Sequence, residues 1–398
     1  MSEQRCRVCL FNSADPRGSK VGGIETYTRD YIFYHPEDMD LLLIAADEVG
    51  DLKIGEINDV EFRGRRFKFL PLQYIDNSIN VYPNSIFASE TFKFAKLLVA
   101  NFSKIRKILR DGNYTAEIRR VEYAPIMKAM GVPFIQMVHV WGARDKPMSG
   151  LMGKYWYLRS LTELVAAALC EKFYSVNPDM TEMYKKSYGL FKTKFDTLTT
   201  WANTEIFKLR PYLLNDDIIR VVYAGRMDKF KRPDFMFRVI DQAARLAEGK
   251  LEFHYIGDGD PAEFPEFVDI ASLTTLHGRK NSIEISEILG RMHVGILTSE
   301  FEGMPRFVLE VLSSGRPVVA MHLPQLEGVI VDGTSGRLIS RTDDHIAQQA
   351  QAIVETVRDM RMGKISPEAT AALVRPFSPQ SLLGKIFADH RRLHGLSI

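Results

Sequence analysis

The feature that most constrains the fold of this chain is a repeated alternation of short apolar runs with longer segments of helical periodicity. The apolar runs lie at 6–11, 40–45, 67–72, 132–138 and 172–176 in the first half, and at 218–225, 251–257, 273–278, 293–299 and 316–321 in the second. Near-continuous apolar strands separated by helices are typical of parallel sheets that are covered on both faces. Two such series predict an α/β chain with two doubly wound sheets.

The division into domains follows from the same pattern. The length of 398 residues suits two or three domains, and an irregular stretch at 200–216 separates the two series of strands. We therefore predict an N-terminal domain over 1–203 and a C-terminal domain over 204–377. The last residues, 378–398, contain an amphipathic pattern that predicts one C-terminal helix.

Composition excludes several classes of protein. The hydrophobic fraction of 45% and the charged fraction of 26% are those of a globular protein, and a net charge of +2 gives no reason to expect a nucleic-acid partner. Three cysteines are too few for a disulfide framework. The first residues lack the apolar core of a signal peptide, and no run of about 18 apolar residues occurs. These features predict a cytoplasmic protein.

The loops that follow strands are the candidate sites, because ligands of doubly wound sheets bind beyond the carboxyl ends of the strands. The first such loop contains Gly22 and Gly23 directly before a helical segment. Paired glycines allow close backbone approach, and a helix N-terminus offers N–H groups to an anion. This loop is therefore either a phosphate site or a plain tight turn. Neither the dinucleotide-binding glycine fingerprint nor a Walker-type phosphate loop occurs in the chain.

The loop after 218–225 is rich in cations. Gly225 is followed by Arg226 and, five residues later, by Lys231. An arginine supplies a bidentate fork for a phosphate group, and a lysine supplies a point charge. These two side chains are candidates for binding a diphosphate, and a solvated surface loop is the alternative.

The loop after 293–299 places two carboxylates, Glu302 and Glu310, on either side of a predicted helix start. A carboxylate can accept hydrogen bonds from both hydroxyls of a vicinal diol. Backbone N–H groups at the start of the helix can add to such a site. The alternative is a pair of ordinary charges near a helix start, which the helix dipole favours.

No metal site is predicted. The nine histidines have no metal-binding spacing, and glycines flank Asp258 within the sequence Asp258-Gly259-Asp260. These glycines favour a turn over a metal-binding DxD motif.

The order of motifs in the second half resembles that of the retaining nucleotide-sugar glycosyltransferases of family four. The motifs are GRMDKFK, HYIGDGDP, LHGR, SEFEGMPRFVLEVLSSGRPVVA and DGTSGRLI, in that order from 225 to 339. The E-x7-E pair of Glu302 and Glu310 is the most specific of them. The resemblance implies the GT-B fold, in which two Rossmann-like domains face a central cleft and the C-terminal helix crosses back to the N-terminal domain.

The resemblance also implies which residues bind the donor diphosphate. Gly22 and Gly23 would offer their backbone to the diphosphate, and Gly225 would lie beside it. Arg226 and Lys231 would hold the same group and stabilise its charge as it leaves.

The sugar and the ribose have their own implied partners. Glu310 would bind the ribose hydroxyls, and Glu302 would hold the donor sugar together with the backbone that follows it. That backbone belongs to Gly303, Met304 and Pro305. His139, which ends a predicted strand of the first half, would lie against the sugar and orient it.

The implied activity is transfer of a sugar from a UDP- or GDP-sugar to an acceptor hydroxyl, with retention at the anomeric carbon. No cofactor or divalent metal is expected, because fixed cations and helix N-termini can stabilise the departing diphosphate. Polysaccharide or glycolipid assembly is the expected setting. Two alternatives stay open: a nucleotide-sugar 2-epimerase of the same architecture, and a non-catalytic nucleotide-sugar-binding subunit.

Residues 92–110 suggest where the acceptor side lies. Five apolar residues fall on one helical face: Phe94, Leu98, Phe102, Ile105 and Leu109. Six lysines and arginines accompany them with no acidic residue. Such a helix either lies on an anionic membrane at the inner face or packs on its own sheet. The membrane alternative predicts a peripheral protein with a lipid-linked saccharide acceptor.

Overall fold

The chain folds into two compact units of mixed α/β structure. The computed structural model describes residues 5–18, 23–76, 89–138 and 156–396. The first unit runs to Thr199 and includes the residues from Pro379 onward, and the second unit is Thr200–Ser378. The sequence analysis placed the same boundary a few residues later, between 203 and 204. Each unit contains one mainly parallel sheet, which confirms the predicted fold class.

The first unit is built on a sheet in the order β3-β4-β2-β1-β5-β6-β7-β8. Its strands are β1 (Cys6–Phe11), β2 (Met39–Asp47), β3 (Asn58–Phe62), β4 (Arg65–Tyr74), β5 (Thr115–Ile118), β6 (Phe134–Val138), β7 (Lys172–Ser175) and β8 (Phe195–Thr197). β3 is antiparallel to β4, and the other neighbouring strands are parallel.

Helices connect these strands. They are α1 (Gly23–Tyr34), α2 (Glu90–Ala100), α3 (Phe102–Asp111), α4 (Ala124–Met130), α5 (Trp156–Leu169) and α6 (Pro178–Ser187). Local sequence fixes several ends: the Asn177 side chain accepts a hydrogen bond from the Met180 N–H at 2.8 Å, and Pro178 follows at the first position of α6. Both features favour a helix start, because they satisfy or remove an N–H that has no partner inside the helix.

The basic amphipathic segment 92–110 forms two helices, α2 and α3, which meet at Asn101. Four of its five predicted face residues are buried: Phe94, Leu98, Ile105 and Leu109. This apolar face therefore packs inside its own unit, which was one of the two alternatives, and these four side chains do not reach the surface. The six cations of the segment are all exposed.

The second unit is built on an all-parallel sheet in the order β11-β10-β9-β12-β13-β14. Its strands are β9 (Ile219–Ala224), β10 (Leu251–Ile256), β11 (Thr274–Leu276), β12 (Val294–Leu297), β13 (Val318–Met321) and β14 (Gly336–Ile339). Its helices are α7 (Pro233–Leu246), α8 (Ser282–Leu289), α9 (Arg306–Ser313), α10 (His345–Arg361) and α11 (Pro367–Ala372). The strand order reverses between β9 and β12, which makes this pair the topological switch point.

The last helix, α12 (Pro379–Leu393), belongs to the first unit. Phe387 packs edge-on against Tyr31 of α1 at a ring distance of 4.9 Å. Asp389 accepts a hydrogen bond from the Tyr174 hydroxyl of β7, and His390 hydrogen-bonds to Thr115 of β5 at 2.8 Å. Within the described residues, no helix combines the length and the apolar character needed to cross a bilayer.

Candidate functional site

The candidate site of the second unit lies where the strand order reverses. β9 and β12 are hydrogen-bonded neighbours and run in parallel, so the loops that follow them leave the same edge of the sheet side by side. These two loops contain Arg226, Lys231 and Glu302. The topology therefore brings together the basic loop and the acidic loop that the sequence places about seventy residues apart.

Two buried tyrosines support the loop that follows β9. The Tyr223 hydroxyl donates to the carbonyl of Arg226 at 3.0 Å, and the Tyr255 hydroxyl donates to the carbonyl of Gly225 at 3.0 Å. Burial, with the nearby charge of Glu302, raises the pKa of Tyr223, so its hydroxyl keeps the proton that it donates. Gly225 has a φ of +155°, and a Cβ there would lie 2.8 Å from the Tyr223 hydroxyl oxygen. A glycine is therefore required at this turn.

The two predicted diphosphate cations have different surroundings. The Arg226 side chain is 67% exposed and pairs with Asp228 at 2.9 Å. Lys231 ends a short 3-10 turn, Lys229–Lys231, and its side chain is only 20% exposed. Lys231 is thus fixed in the site, whereas Arg226 extends from it toward solvent.

Lys231 and Glu302 form an ion pair between their two loops. The same Glu302 carboxylate accepts a hydrogen bond from the Ser299 hydroxyl at 2.9 Å, and the Glu302 carbonyl accepts one from the Gln325 side chain at 2.9 Å. The Thr298 hydroxyl donates to the Lys231 carbonyl at 2.7 Å. Side chain and backbone of both residues are therefore held, as a preorganised polar site requires.

A second set of contacts joins the same two loops. Arg232 donates to Asp234 and to Glu300, each at 2.9 Å, and these carboxylates raise the pKa of Arg232. The rings of Phe230 and Phe301 stack at 5.0 Å. The loop after β9 is therefore tied to the loop after β12 by charge and by aromatic packing.

The acidic loop leads into α9, as the sequence predicted. Pro305 is the N-cap residue, with extended backbone, and the helix begins at Arg306. Glu310 lies within the helix and is 8% exposed. A buried carboxylate near the switch point is the chemistry expected of a diol-binding group, although a structural role in the helix would also bury it.

The glycine-rich loop of the first unit is described only in part. Gly22 and His139 lie outside the described residues, and Gly23 is the first residue of α1. The approach to this loop is held by Arg17, which pairs with Asp15 at 2.8 Å and with Asp47 at 3.1 Å. Arg29 of α1 donates to the Gly18 carbonyl at 2.7 Å.

The part of the chain that the structure describes contains no cluster of three or more metal-ligating side chains. Asp260, the second acid of the DxD sequence, accepts a hydrogen bond from the N–H of Ala262 at 2.9 Å at the start of a short 3-10 turn. This contact indicates that Asp260 stabilises a turn.

The sequence analysis missed several supporting residues of the site. They are Tyr223, Tyr255, Thr298, Ser299 and Gln325. The first four stand at or just beyond the carboxyl ends of strands, which is the position that a search for site residues should examine first. Gln325 follows β13, and no local pattern distinguishes it.

Two doubly wound units are the architecture of the GT-B fold, and comparison with solved structures supports this fold. Sucrose-phosphate synthase from Thermosynechococcus elongatus superposes with a TM-score of 0.71 at 13% identity, covering 99% of this chain and 100% of that chain. A variant of S. aureus TarM, in complex with fondaparinux, alpha-GlcNAc-glycerol and UDP, has a TM-score of 0.68 at 14% identity, covering 96% and 99%.

Sequence comparison gives the family. Residues 219–359 match the model of the glycosyl transferases group 1. A D-inositol 3-phosphate glycosyltransferase of Thermobifida fusca (strain YX) is 26% identical over 245 residues, which cover 56% of this chain and 56% of that protein. The match thus spans about half the length of this curated relative. Residues 219–359 of the second unit are therefore similar to the group 1 glycosyltransferases, in agreement with the order of motifs in that half.

Proposed function

We propose that the chain transfers a sugar from a UDP- or GDP-sugar to an acceptor hydroxyl, with retention at the anomeric carbon. The observation that carries this proposal is the ion pair of Lys231 and Glu302 at the switch point of the second unit. In this proposal Lys231 is the cation that binds the diphosphate and Glu302 is the carboxylate that binds sugar hydroxyls. Their contact at the edge where doubly wound sheets bind nucleotides supports both roles.

The chemistry follows from where charge develops. Departure of a nucleoside diphosphate leaves negative charge on its phosphate oxygens. The Lys231 ammonium has three N–H donors, so it can bind Glu302 and still donate to phosphate oxygens. Arg226, an exposed residue of the same loop, adds a bidentate donor. With Lys231 fixed in the site and Arg226 extending from the same loop, we expect no divalent metal to be needed and activity to persist in excess chelator.

Retention requires that the acceptor attack the face from which the diphosphate leaves. In our proposal the leaving phosphate takes the proton of the acceptor hydroxyl, so no carboxylate nucleophile is needed. Glu302 then serves to hold the sugar, and Glu310 to hold the ribose hydroxyls. The UDP bound in the TarM structure supports a nucleotide donor, since that protein shares this fold.

For the acceptor we propose a lipid-linked saccharide used in polysaccharide or glycolipid assembly. The exposed cations of α2 and α3 support this choice, because basic surfaces are attracted to anionic lipid.

The test is calorimetric titration with UDP, GDP and ADP in chelator, for the wild type and for Glu310→Ala. We expect UDP or GDP to bind and the substitution to weaken binding about tenfold, the effect of losing a hydrogen bond to a charged group. Failure of all three nucleotides to bind would overturn the donor site. Binding that is indifferent to Glu310 would overturn the ribose contact.

A second assay separates the transferase from the epimerase alternative. The purified chain is incubated with the donor that binds, with and without a mixture of saccharide acceptors. A transferase gives new product only when acceptor is present, whereas an epimerase converts the donor in its absence. Binding without either product would favour the non-catalytic subunit.

A further inference from the structure

Three leucines of the first unit have exposed side chains. Leu190 is 95% exposed, Leu161 is 58% exposed and Leu164 is 39% exposed. We refer to these three side chains as the aliphatic patch. Contiguous exposed apolar patches mark surfaces that meet a partner or a membrane, whereas single exposed apolar side chains are ordinary.

The three leucines belong to one local structure. Leu161 and Leu164 lie on α5, three residues apart, so they share a helix face. Leu190 lies in a 3-10 turn, Gly189–Lys194, whose two ends are attached to α5. The Tyr188 hydroxyl donates to the Ser160 carbonyl at 3.0 Å, and the Lys194 ammonium donates to the Ala168 carbonyl at 3.0 Å. The turn therefore presents Leu190 beside α5.

Two exposed lysines lie close in sequence to Leu190 of this patch. Lys186 and Lys192 flank Leu190 in sequence, and both are exposed. The adjacent Glu182 is already paired with Lys185 at 2.7 Å. A leucine that projects between two exposed lysines is suited to a surface that is negatively charged outside and apolar beneath.

The basic helices α2 and α3 lie on the same face of the sheet. From β4 the chain crosses to β5, β6, β7 and β8 in one direction, and right-handed crossovers then put all the connecting helices, α2 to α6, on one face. The contacts agree, because residues 121–123 touch both α2 and α5, and α4 touches α5. α1 and α12 contact each other and lie on the opposite face.

We infer that the outer surface of the helices α2 to α6 docks on an anionic lipid bilayer, with Leu161, Leu164 and Leu190 entering the interface. The cations of α2 and α3 bind the headgroups, while the aliphatic patch supplies the apolar insertion that their own buried faces cannot. This inference rests on the proposed function, because docking on a bilayer would bring the glycosyltransferase to a lipid-linked acceptor.

The test is vesicle flotation of the full chain. One set of vesicles is phosphatidylcholine, and the other contains about one third phosphatidylglycerol. We expect flotation with the anionic vesicles, weaker flotation with the neutral ones, and loss of binding at high salt. Replacing Lys186 and Lys192 by alanine should reduce partitioning about fivefold for each charge removed.

The decisive variant replaces Leu161 and Leu190 by serine. It should lower partitioning about tenfold, because two apolar side chains no longer enter the interface. Leu276→Ser is the matched control, since Leu276 is 54% exposed in the second unit. Both leucines of the variant are exposed, so folding should be preserved, and calorimetric nucleotide binding checks this.

Three results would overturn the inference: failure to float with anionic vesicles, equal flotation on neutral vesicles, or flotation unchanged by the double serine variant. A shift from dimer to monomer in the variant, without flotation of the wild type, would assign the patch to self-association instead. Nucleotide binding without flotation would leave the proposed donor function standing and reject only the membrane surface.

Discussion

Lys231 and Glu302 are 71 positions apart in sequence and form an ion pair at the carboxyl edge of the second sheet. β9 leads into the loop of Lys231, and β12 leads into the loop of Glu302. The pairing of these two strands at the switch point is what brings the residues together. Two residues proposed for different parts of one donor are thus in contact, so a substitution at either one is expected to affect the other.

The first prediction concerns Lys231. Lys231→Ala should weaken binding of UDP or GDP, whichever the wild type binds, by about tenfold or more, because a charge-assisted hydrogen bond to phosphate is lost. Lys229→Ala is the matched control, since Lys229 is an exposed lysine of the same 3-10 turn. Isothermal titration of both variants checks this, and equal affinities for the two would remove Lys231 from the diphosphate site.

The sequence predicted the fold best where a strand is mostly apolar. β1, for example, has the predicted bounds Cys6–Phe11. β5 was missed, because its four residues include Glu117, whose charge is compensated inside the protein by Arg119 at 2.9 Å. β14 was missed for a related reason, since it begins at Gly336 and contains Arg337, which pairs with acids of α10. Tertiary contacts supplied what the local pattern lacked.

The candidate site, like the fold, was predicted from the sequence only in part. The sequence selected Lys231, Glu302 and Glu310 because residue type and position after a strand are local features. It did not show that Lys231 and Glu302 touch, because the order of strands in a sheet is not encoded locally. Nor did it find Gln325, whose bond to the Glu302 carbonyl depends on how the loop after β13 is placed.

The second prediction is a pH dependence set by His293. Its Nδ1 accepts the backbone N–H of Arg220 at 3.0 Å, and its Nε2 faces the Leu213 carbonyl at 2.7 Å, so these partners require the neutral ring protonated on Nε2. Burial lowers the pKa of His293. As the pH falls, His293 therefore becomes protonated in the unfolded chain before it does in the folded chain. Its contribution to the free energy of unfolding is complete above about pH 6.5 and is lost as the pH falls below that value.

Urea unfolding at two pH values, about 7.5 and about 5, measures this effect. His293→Gln should be less stable than the wild type by about 1–3 kcal/mol at the higher pH, and the difference should narrow at the lower one. Ser313→Ala is the control, because it removes a buried 2.9 Å hydrogen bond to Phe207 without removing a titratable group. A difference for His293→Gln that stays constant with pH would contradict the assignment.

The third prediction concerns Arg316, which is fully buried and whose hydrogen-bond partners among the described residues are all backbone carbonyls. All five of its N–H groups donate to carbonyls, including those of Arg210 and Pro211 at 2.6 and 2.7 Å. Burial lowers its pKa to about 10, so it remains charged at neutral pH. The guanidinium thus attaches the Arg210–Pro211 segment, which precedes β9, to the core of the second unit.

Arg316→Met should destabilise the second unit by about 3–5 kcal/mol, because five hydrogen bonds from a buried charged donor are lost. Arg316→Lys should recover only part of this loss, since an ammonium cannot reach the same spread of acceptors. The exposed ion pair of Arg245 with Asp241 provides the control: Arg245→Met should change the free energy of unfolding by about 0.5 kcal/mol or less. Chemical unfolding of the three variants measures these changes. Similar losses in the free energy of unfolding for Arg316→Met and Arg245→Met would contradict the role assigned to Arg316.

The fourth prediction compares two glycine-to-alanine substitutions with opposite expected signs. A Cβ on Gly257, at the end of β10, would lie 2.3 Å from the carbonyl oxygen of Gly225, so the loop that carries Arg226 and Lys231 would have to move. Gly257→Ala should therefore lower stability by about 1–3 kcal/mol and weaken nucleotide binding as well.

Gly384 lies inside α12, and a Cβ there would meet no atom within 4 Å. Gly384→Ala should raise stability by about 0.5–1 kcal/mol, because alanine loses less backbone entropy in a helix, and should leave nucleotide affinity unchanged. Thermal unfolding and calorimetric titration of both variants make the comparison. If Gly257→Ala kept wild-type stability and affinity, the close approach of β10 to the Gly225 turn would not shape the donor site.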